Sequence, residues 1–260
     1  MLSTISSFRL ISENLDRTLE TTAETPLVAR ETSYYLSRIG DIKTIDDFIA
    51  DDRIFSYAMT AHGLEDMTYA KAFMRKVLTE GIDSDTSFAN TLSDTRYRQF
   101  AETYNFERYA DATTAFDRTQ QGAVDKYLRQ TLEVNAGAEN QGVRLALYFE
   151  RKASEITSPF GILADPALLT VMQTALGLSP ATSAVDIDRQ AELITERFNI
   201  EDLQDPEKLD ELLQRFAVLW EVSNPQSAAA VPNILIGQSR TFGFGSDLLA
   251  AIQNFRIGGR

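Results

Sequence analysis

Residues 48–64 read FIADDRIFSYAMTAHGL, and residues 162–178 read ILADPALLTVMQTALGL. Six of these 17 aligned positions are identical: Ala50/Ala164, Asp51/Asp165, Thr60/Thr174, Ala61/Ala175, Gly63/Gly177 and Leu64/Leu178. Most of the rest exchange one apolar residue for another, and Ser56 pairs with Thr170. The offset (164 − 50) is 114 residues, which predicts a chain built from two related helical units. The repeat describes an architecture; no other stretch spells out a chemistry.

Each copy reads as a helix with both ends specified. Asp51 and Asp165 suit the N-cap, where a carboxylate accepts bonds from the free N–H groups of the first turn. Pro166 takes the first helical position, where a missing N–H costs nothing. Gly63 and Gly177 suit the left-handed position after the helix, and Leu64 and Leu178 fall where such an ending places an apolar contact. Any two well-capped helices would share these caps, but not Ala50/Ala164 or the Thr-Ala pairs. A weaker match lies further on: Asp94 precedes a stretch ending Arg98-Gln99-Phe100-Ala101, and Asp205-Pro206 precedes a longer one carrying Gln214-Arg215-Phe216-Ala217.

A chain of 260 residues, 43% hydrophobic and 24% charged, has the composition of a soluble globular protein able to bury a large core. It holds no apolar run near the roughly 18 residues of a membrane span. The N-terminus lacks a basic region followed by an apolar core, so no cleaved secretory signal is expected. Zero cysteines exclude disulfides, thiolate nucleophiles and zinc–thiolate sites. Cysteine-free composition fits a cytoplasmic protein, or alternatively one exported without a cleaved signal. With 25 basic against 38 acidic residues the net charge is −13, which disfavours nucleic acid and anionic membranes as partners. The close basic cluster Arg144, Arg151, Lys152 is interleaved with Glu150 and reads as a solvated helix face.

The periodicity divides the chain into five segments. Residues 1–25 form an N-terminal amphipathic helix with Leu2, Ile5, Phe8, Ile11, Leu15 and Leu19 on one stripe. Residues 26–115 form the first helical unit, opened by Thr25-Pro26 and containing the first repeat helix, an amphipathic stretch from about Tyr69 to Leu78, and a polar loop over 81–87. Residues 116–157 connect the units as one long helix or a helical hairpin, interrupted near Ala136-Gly137-Ala138. Residues 158–222 form the second helical unit, with further helices over 186–199 and 205–222. Residues 223–260 read as a Gly-, Ser- and Pro-rich loop, a short apolar anchor at 233–236, a helix over 246–255 and a tail. Strand-like alternation is nearly absent, so the fold class is all-α: a multi-helix bundle.

The constellations that could carry chemistry each have a structural reading. His62 is the sole histidine and sits just before Gly63, where an imidazole can bond the last carbonyls of a helix; its counterpart is Leu176. Asp46, Asp47, Asp51 and Asp52 cluster where anions complement a helix N-terminus. Asp83-Ser84-Asp85 resembles the start of a calcium loop, but Phe88 stands where glycine is required and Asp94 where a glutamate is. Gly243-Phe244-Gly245-Ser246 lacks the Lys of a phosphate loop and carries Asp247 where phosphate would lie. Phe216, Leu219 and Trp220 read as helix core. No catalytic, cofactor-binding or metal-ligating residue is assigned, no cofactor is expected, and the protein is expected not to be an enzyme.

The run Asn140-Gln141-Gly142-Val143-Arg144-Leu145-Ala146-Leu147-Tyr148-Phe149-Glu150-Arg151-Lys152-Ala153, followed by Ile162-Leu163-Ala164-Asp165, Asp202-Leu203-Gln204-Asp205-Pro206 and Leu213-Gln214-Arg215-Phe216, resembles a helical family of unknown function. That family occurs in alphaproteobacteria, often in or near flagellar gene clusters. The resemblance covers roughly residues 30–222 and implies a flagellar setting without implying any catalytic residue. The expected function is a non-enzymatic interaction or structural protein binding other proteins, flagellar or secretion components among them, and able to form an oligomer. The alternatives are a cytosolic chaperone or adaptor that holds a partner's helix, and an enzyme working with carboxylates and a divalent metal. In an exported subunit both terminal helices would order on assembly; in the simpler case they dock on the chain's own core.

Overall fold

The structure, a computed structural model, describes residues 2–224, and every regular element among them is helical. The loop, anchor and final helix expected within 225–260 lie outside the described residues. The chain opens with α1 (Thr4–Ser12), α2 (Leu15–Glu24) and α3 (Pro26–Arg38). Where one helix was expected across residues 2–19 there are two, because Asn14 leaves the helical region (φ −123°, ψ 34°) and α2 starts afresh. The apolar stripe is divided accordingly: Phe8 is fully buried, while Leu2 stays exposed.

Next come α4 (Ile45–Ala50), α5 (Asp52–Ala61), α6 (Lys71–Glu80), α7 (Phe88–Thr91), α8 (Thr95–Thr103) and α9 (Phe106–Tyr109). Helices α10 (Gln121–Glu139) and α11 (Gln141–Lys152) follow, then α12 (Pro159–Leu163), α13 (Pro166–Leu176), α14 (Ile187–Thr195) and α15 (Pro206–Ser223). The expected interruption at 136–138 is absent. Helix α10 runs on to Glu139, and the turn comes at Asn140, whose side chain accepts bonds from the N–H groups of Gly142 and Val143 and so starts α11. The connection is therefore a hairpin. Gly137 serves it by having no Cβ, since one there would lie 2.6 Å from Arg144 Cδ on the returning helix.

Two apolar clusters fill one compact unit that extends to Asn224. The first is built around Tyr35, Phe48, Phe55, Phe100 and Tyr104, all at or near zero exposure. Its hydroxyls are satisfied: Tyr35 Oη is 2.7 Å from Tyr104 Oη and donates to the Thr119 carbonyl at 2.6 Å. Tyr57 stacks between Tyr35 and Tyr127, with ring centroids 4.3 and 3.8 Å away. The second cluster gathers Phe149, Ile162, Val171, Met172 and Phe216, and takes Phe8 from α1. Helix α1 thus docks on the chain's own core, against α11 and α15. Trp220 crosses α11 at Gly142, where a Cβ would lie 2.3 Å from the indole Cδ1.

The repeat is present in the backbone. Asp51 accepts from the N–H groups of Arg53 and Ile54, and Asp165 from those of Ala167 and Leu168. Gly63 and Gly177 have φ of 67° and 64°. The N–H of Leu64 reaches the Met59 carbonyl at 2.8 Å, and that of Leu178 reaches the Gln173 carbonyl at the same distance, closing both helices alike. The match extends upstream without a gap. A helix (α3 or α11), a 3₁₀ turn (Ile39–Asp41 or Ala153–Glu155) and a short helix (α4 or α12) precede the capped helix each time. Tyr34 donates to Asp51 Oδ2 at 2.9 Å, and Tyr148 donates to Asp165 Oδ2 at 2.6 Å. These tyrosines stand 114 residues apart (148 − 34), as do buried Tyr35 and Phe149, and Ile42 and Ile156.

Candidate functional site

The polar residues that the sequence leaves unassigned converge where α5, α8, α10 and α11 meet. His62, at the end of α5, places Nδ1 2.9 Å from the Ala58 carbonyl, so Nδ1 carries the proton and Nε2 is the acceptor. Nε2 lies 3.1 Å from Thr103 Oγ1 and 3.3 Å from Lys126 Nζ. Burial pushes the imidazole pKa down to about 3, and the nearby charges of Lys126, Lys152 and Arg151 add to the effect. His62 is therefore neutral at ordinary pH. Both nitrogens of this partly buried imidazole are engaged, and the bond to the Ala58 carbonyl is the one its place before Gly63 leads one to expect.

Lys126 Nζ also donates to Thr103 Oγ1 at 2.9 Å. Its pKa is lowered, first by burial and then by Lys152. Thr103 in turn donates to the Gln99 carbonyl at 3.0 Å, one turn back along α8. Lys152 Nζ donates to Gln99 Oε1 at 3.2 Å and to Glu155 Oε2 at 2.8 Å. On the hairpin side, Glu133 is 1% exposed and receives Arg129 Nε at 3.1 Å and Arg151 through Nε at 2.7 Å and Nη2 at 2.8 Å. Arg129 continues to the Leu147 carbonyl at 2.9 Å and to Glu150 Oε2 at 3.1 Å, and Ser12 of α1 donates to Glu150 Oε1.

This geometry corrects one expectation. Arg151 and Lys152 do not line a solvated face; their side chains are 28% and 13% exposed and turn into the seam. The hairpin partner explains it: Glu133 is carried back along α10 to face Arg151, which sequence spacing of 18 residues conceals.

The acidic candidates have close partners. Asp47 receives the Thr44 hydroxyl and Asp46 pairs with Arg75. Asp83 pairs with Arg108, which holds its carboxyl below the usual range. Among the described residues no group of three or more His, Cys, Asp or Glu side chains is placed to hold a metal ion. No described helix is long and apolar enough to cross a membrane. A groove of about 400 Å³ lies elsewhere, lined by Leu10, Asn14, Thr18, Thr22 and Asn135. Thr18 and Thr22 bond back to their own helix carbonyls.

Residues 61–209 match the family described as "Protein of unknown function (DUF1217)". Protein AGR_C_984 from Agrobacterium tumefaciens, solved by X-ray crystallography, shares this fold with a TM-score of 0.79 and 52% sequence identity, covering 85% of this chain and 94% of that one. No curated protein matches the chain.

Proposed function

From the premise that the chain belongs to the DUF1217 family of unknown function, we propose that it is a non-enzymatic interaction protein. Its all-helical body presents surfaces to partner proteins of a flagellar or related apparatus. The observation that carries this reading is what the repeat conserves between its copies. Asp51/Asp165, Gly63/Gly177 and Tyr34/Tyr148 are caps and cap supports, whereas His62 is matched by Leu176. What is duplicated is a scaffold. The flagellar setting rests on the family resemblance of residues 30–222.

The groove beside Leu10, Thr18 and Thr22 favours a second reading, an adaptor that seats a partner helix against α2. Affinity capture with the tagged full chain, combined with light scattering across concentration, tests both. Recovery of flagellar or secretion components with growth of particle mass supports a structural subunit. The same partners with a constant monomer mass support the adaptor. Capture that returns no such component counts against both readings.

A further inference from the structure

We propose that Lys126 and Lys152, together with Thr103 and Gln99, form a binding site for a small oxyanion of the phosphate or carboxylate type. The two ammonium groups reach the same face of α8 from different helices, Lys126 onto Thr103 Oγ1 and Lys152 onto Gln99 Oε1. Gln99 and Thr103 stand one helical turn apart, roughly 5–6 Å. Ammonium groups on one helix face can share an oxyanion through N⁺–H···O⁻ bonds of about 2.7–2.9 Å. The Thr103 hydroxyl proton goes to the Gln99 carbonyl and Gln99 Nε2 to Glu155, so these two residues hold the lysines in place and the ammonium groups are the donors to the anion.

The charges facing the site come from every helix around it. Lys126 donates only to neutral acceptors, His62 Nε2 and Thr103 Oγ1. Lys152 shares one carboxylate, Glu155, which Gln99 Nε2 also contacts at 3.2 Å. Glu102 acts on Lys126 from α8 as a charge, and Arg151 is engaged by Glu133. Two separate groups lie within reach of these cations. Lys126 feels Lys152 more strongly than either glutamate, and the charges that act on His62 are Lys126, Lys152 and Arg151.

Thermal unfolding of the full chain in inorganic phosphate, against sodium chloride of matched ionic strength, tests the site. Phosphate is expected to raise Tm by about 2–4 °C beyond chloride. Acetate as a second arm tells a carboxylate preference from a phosphate one. Lys126→Gln is expected to abolish the specific shift, and Lys208→Gln, a distant exposed lysine paired with Asp202, to leave it intact. Glu155→Gln removes the competing carboxylate, so half-saturation is expected at a several-fold lower phosphate concentration. Phosphate and acetate that do no more than chloride, or shifts that survive Lys126→Gln and ignore Glu155→Gln, overturn the site.

Discussion

The segments 26–64 and 140–178 use one backbone plan with two kinds of supporting contact. In the first, the capped helix α5 lies against α10 and ends on His62, a residue of the polar seam. In the second, α13 lies against α15 and ends on Leu176, an apolar residue of the second cluster. Position 28 holds a buried valine, and its counterpart 142 (28 + 114) holds the glycine over which Trp220 passes. Caps and backbone turns are common to the two segments because they answer local demands of a helix end. The residues that differ are those that meet neighbours, and the neighbours are different.

Exchanging residues at the 114-residue offset, within the segments and just before them, breaks this comparison in a graded way. At the same offset, Glu133 corresponds to Leu19. Glu133→Leu would leave the half-buried Arg151 without a carboxylate and the buried Arg129 with Glu150 alone. The expected loss is about 3–5 kcal/mol in chemical denaturation; a loss under about 1 kcal/mol would show that the network adds little to the hairpin.

His62→Leu installs the second segment's residue and is read as a pH dependence. The native pKa of His62 is lowered to about 3 from an ordinary 6.5. The unfolded state therefore takes up the extra proton between those values, and native stability falls as pH drops below about 6.5. From pH 7 to pH 4 this one group contributes a decline of about 3 kcal/mol. The variant is expected to lose that part of the slope and keep the part due to carboxylates. Identical slopes in both proteins would mean the imidazole is not held neutral.

Gly142→Val gives α11 the residue of α3. Its side chain collides with Trp220 and with Thr4, so α1 and α15 must shift, at about 1–3 kcal/mol. Loss of amide protection confined to those helices is the expected sign in hydrogen exchange. The gentlest test replaces each closing glycine by alanine. Both φ values are positive, so each change costs about 1 kcal/mol. Gly63→Ala and Gly177→Ala should cost about the same, because a Cβ at Gly63 meets Gln130 Nε2 at 3.4 Å, an ordinary contact, and one at Gly177 meets nothing. A clearly larger cost at Gly63 would show that its neighbours, and not conformation alone, decide.

How far the sequence could be read follows the same division. Asp51, Asp165, Gly63 and Gly177 were legible because each satisfies a requirement within a few residues of itself. Tyr34 and Tyr148 stand at the same 114-residue offset, separated from the aspartates by unlike residues that hide the match. The turn at Asn140 was misplaced to Gly137, since a glycine can mark either a break or a close approach, and only the packed Arg144 distinguishes them. The seam was not legible. Lys126, Thr103 and His62 lie 41 to 64 residues apart in pairs with His62, and only the packing of four helices joins them.

The two apolar clusters also differ in when they can be completed. The first draws on residues 34–128, a single uninterrupted stretch, while the second joins Phe8 and Ile11 to residues 136–220. The bond from the Thr4 N–H to Glu221 spans 217 residues. During synthesis the first cluster can therefore condense while the second still lacks α15, and α1 leaves the ribosome long before its seat exists. Phe8 must stay uncovered, or covered by something else, until the last of these helices has been made.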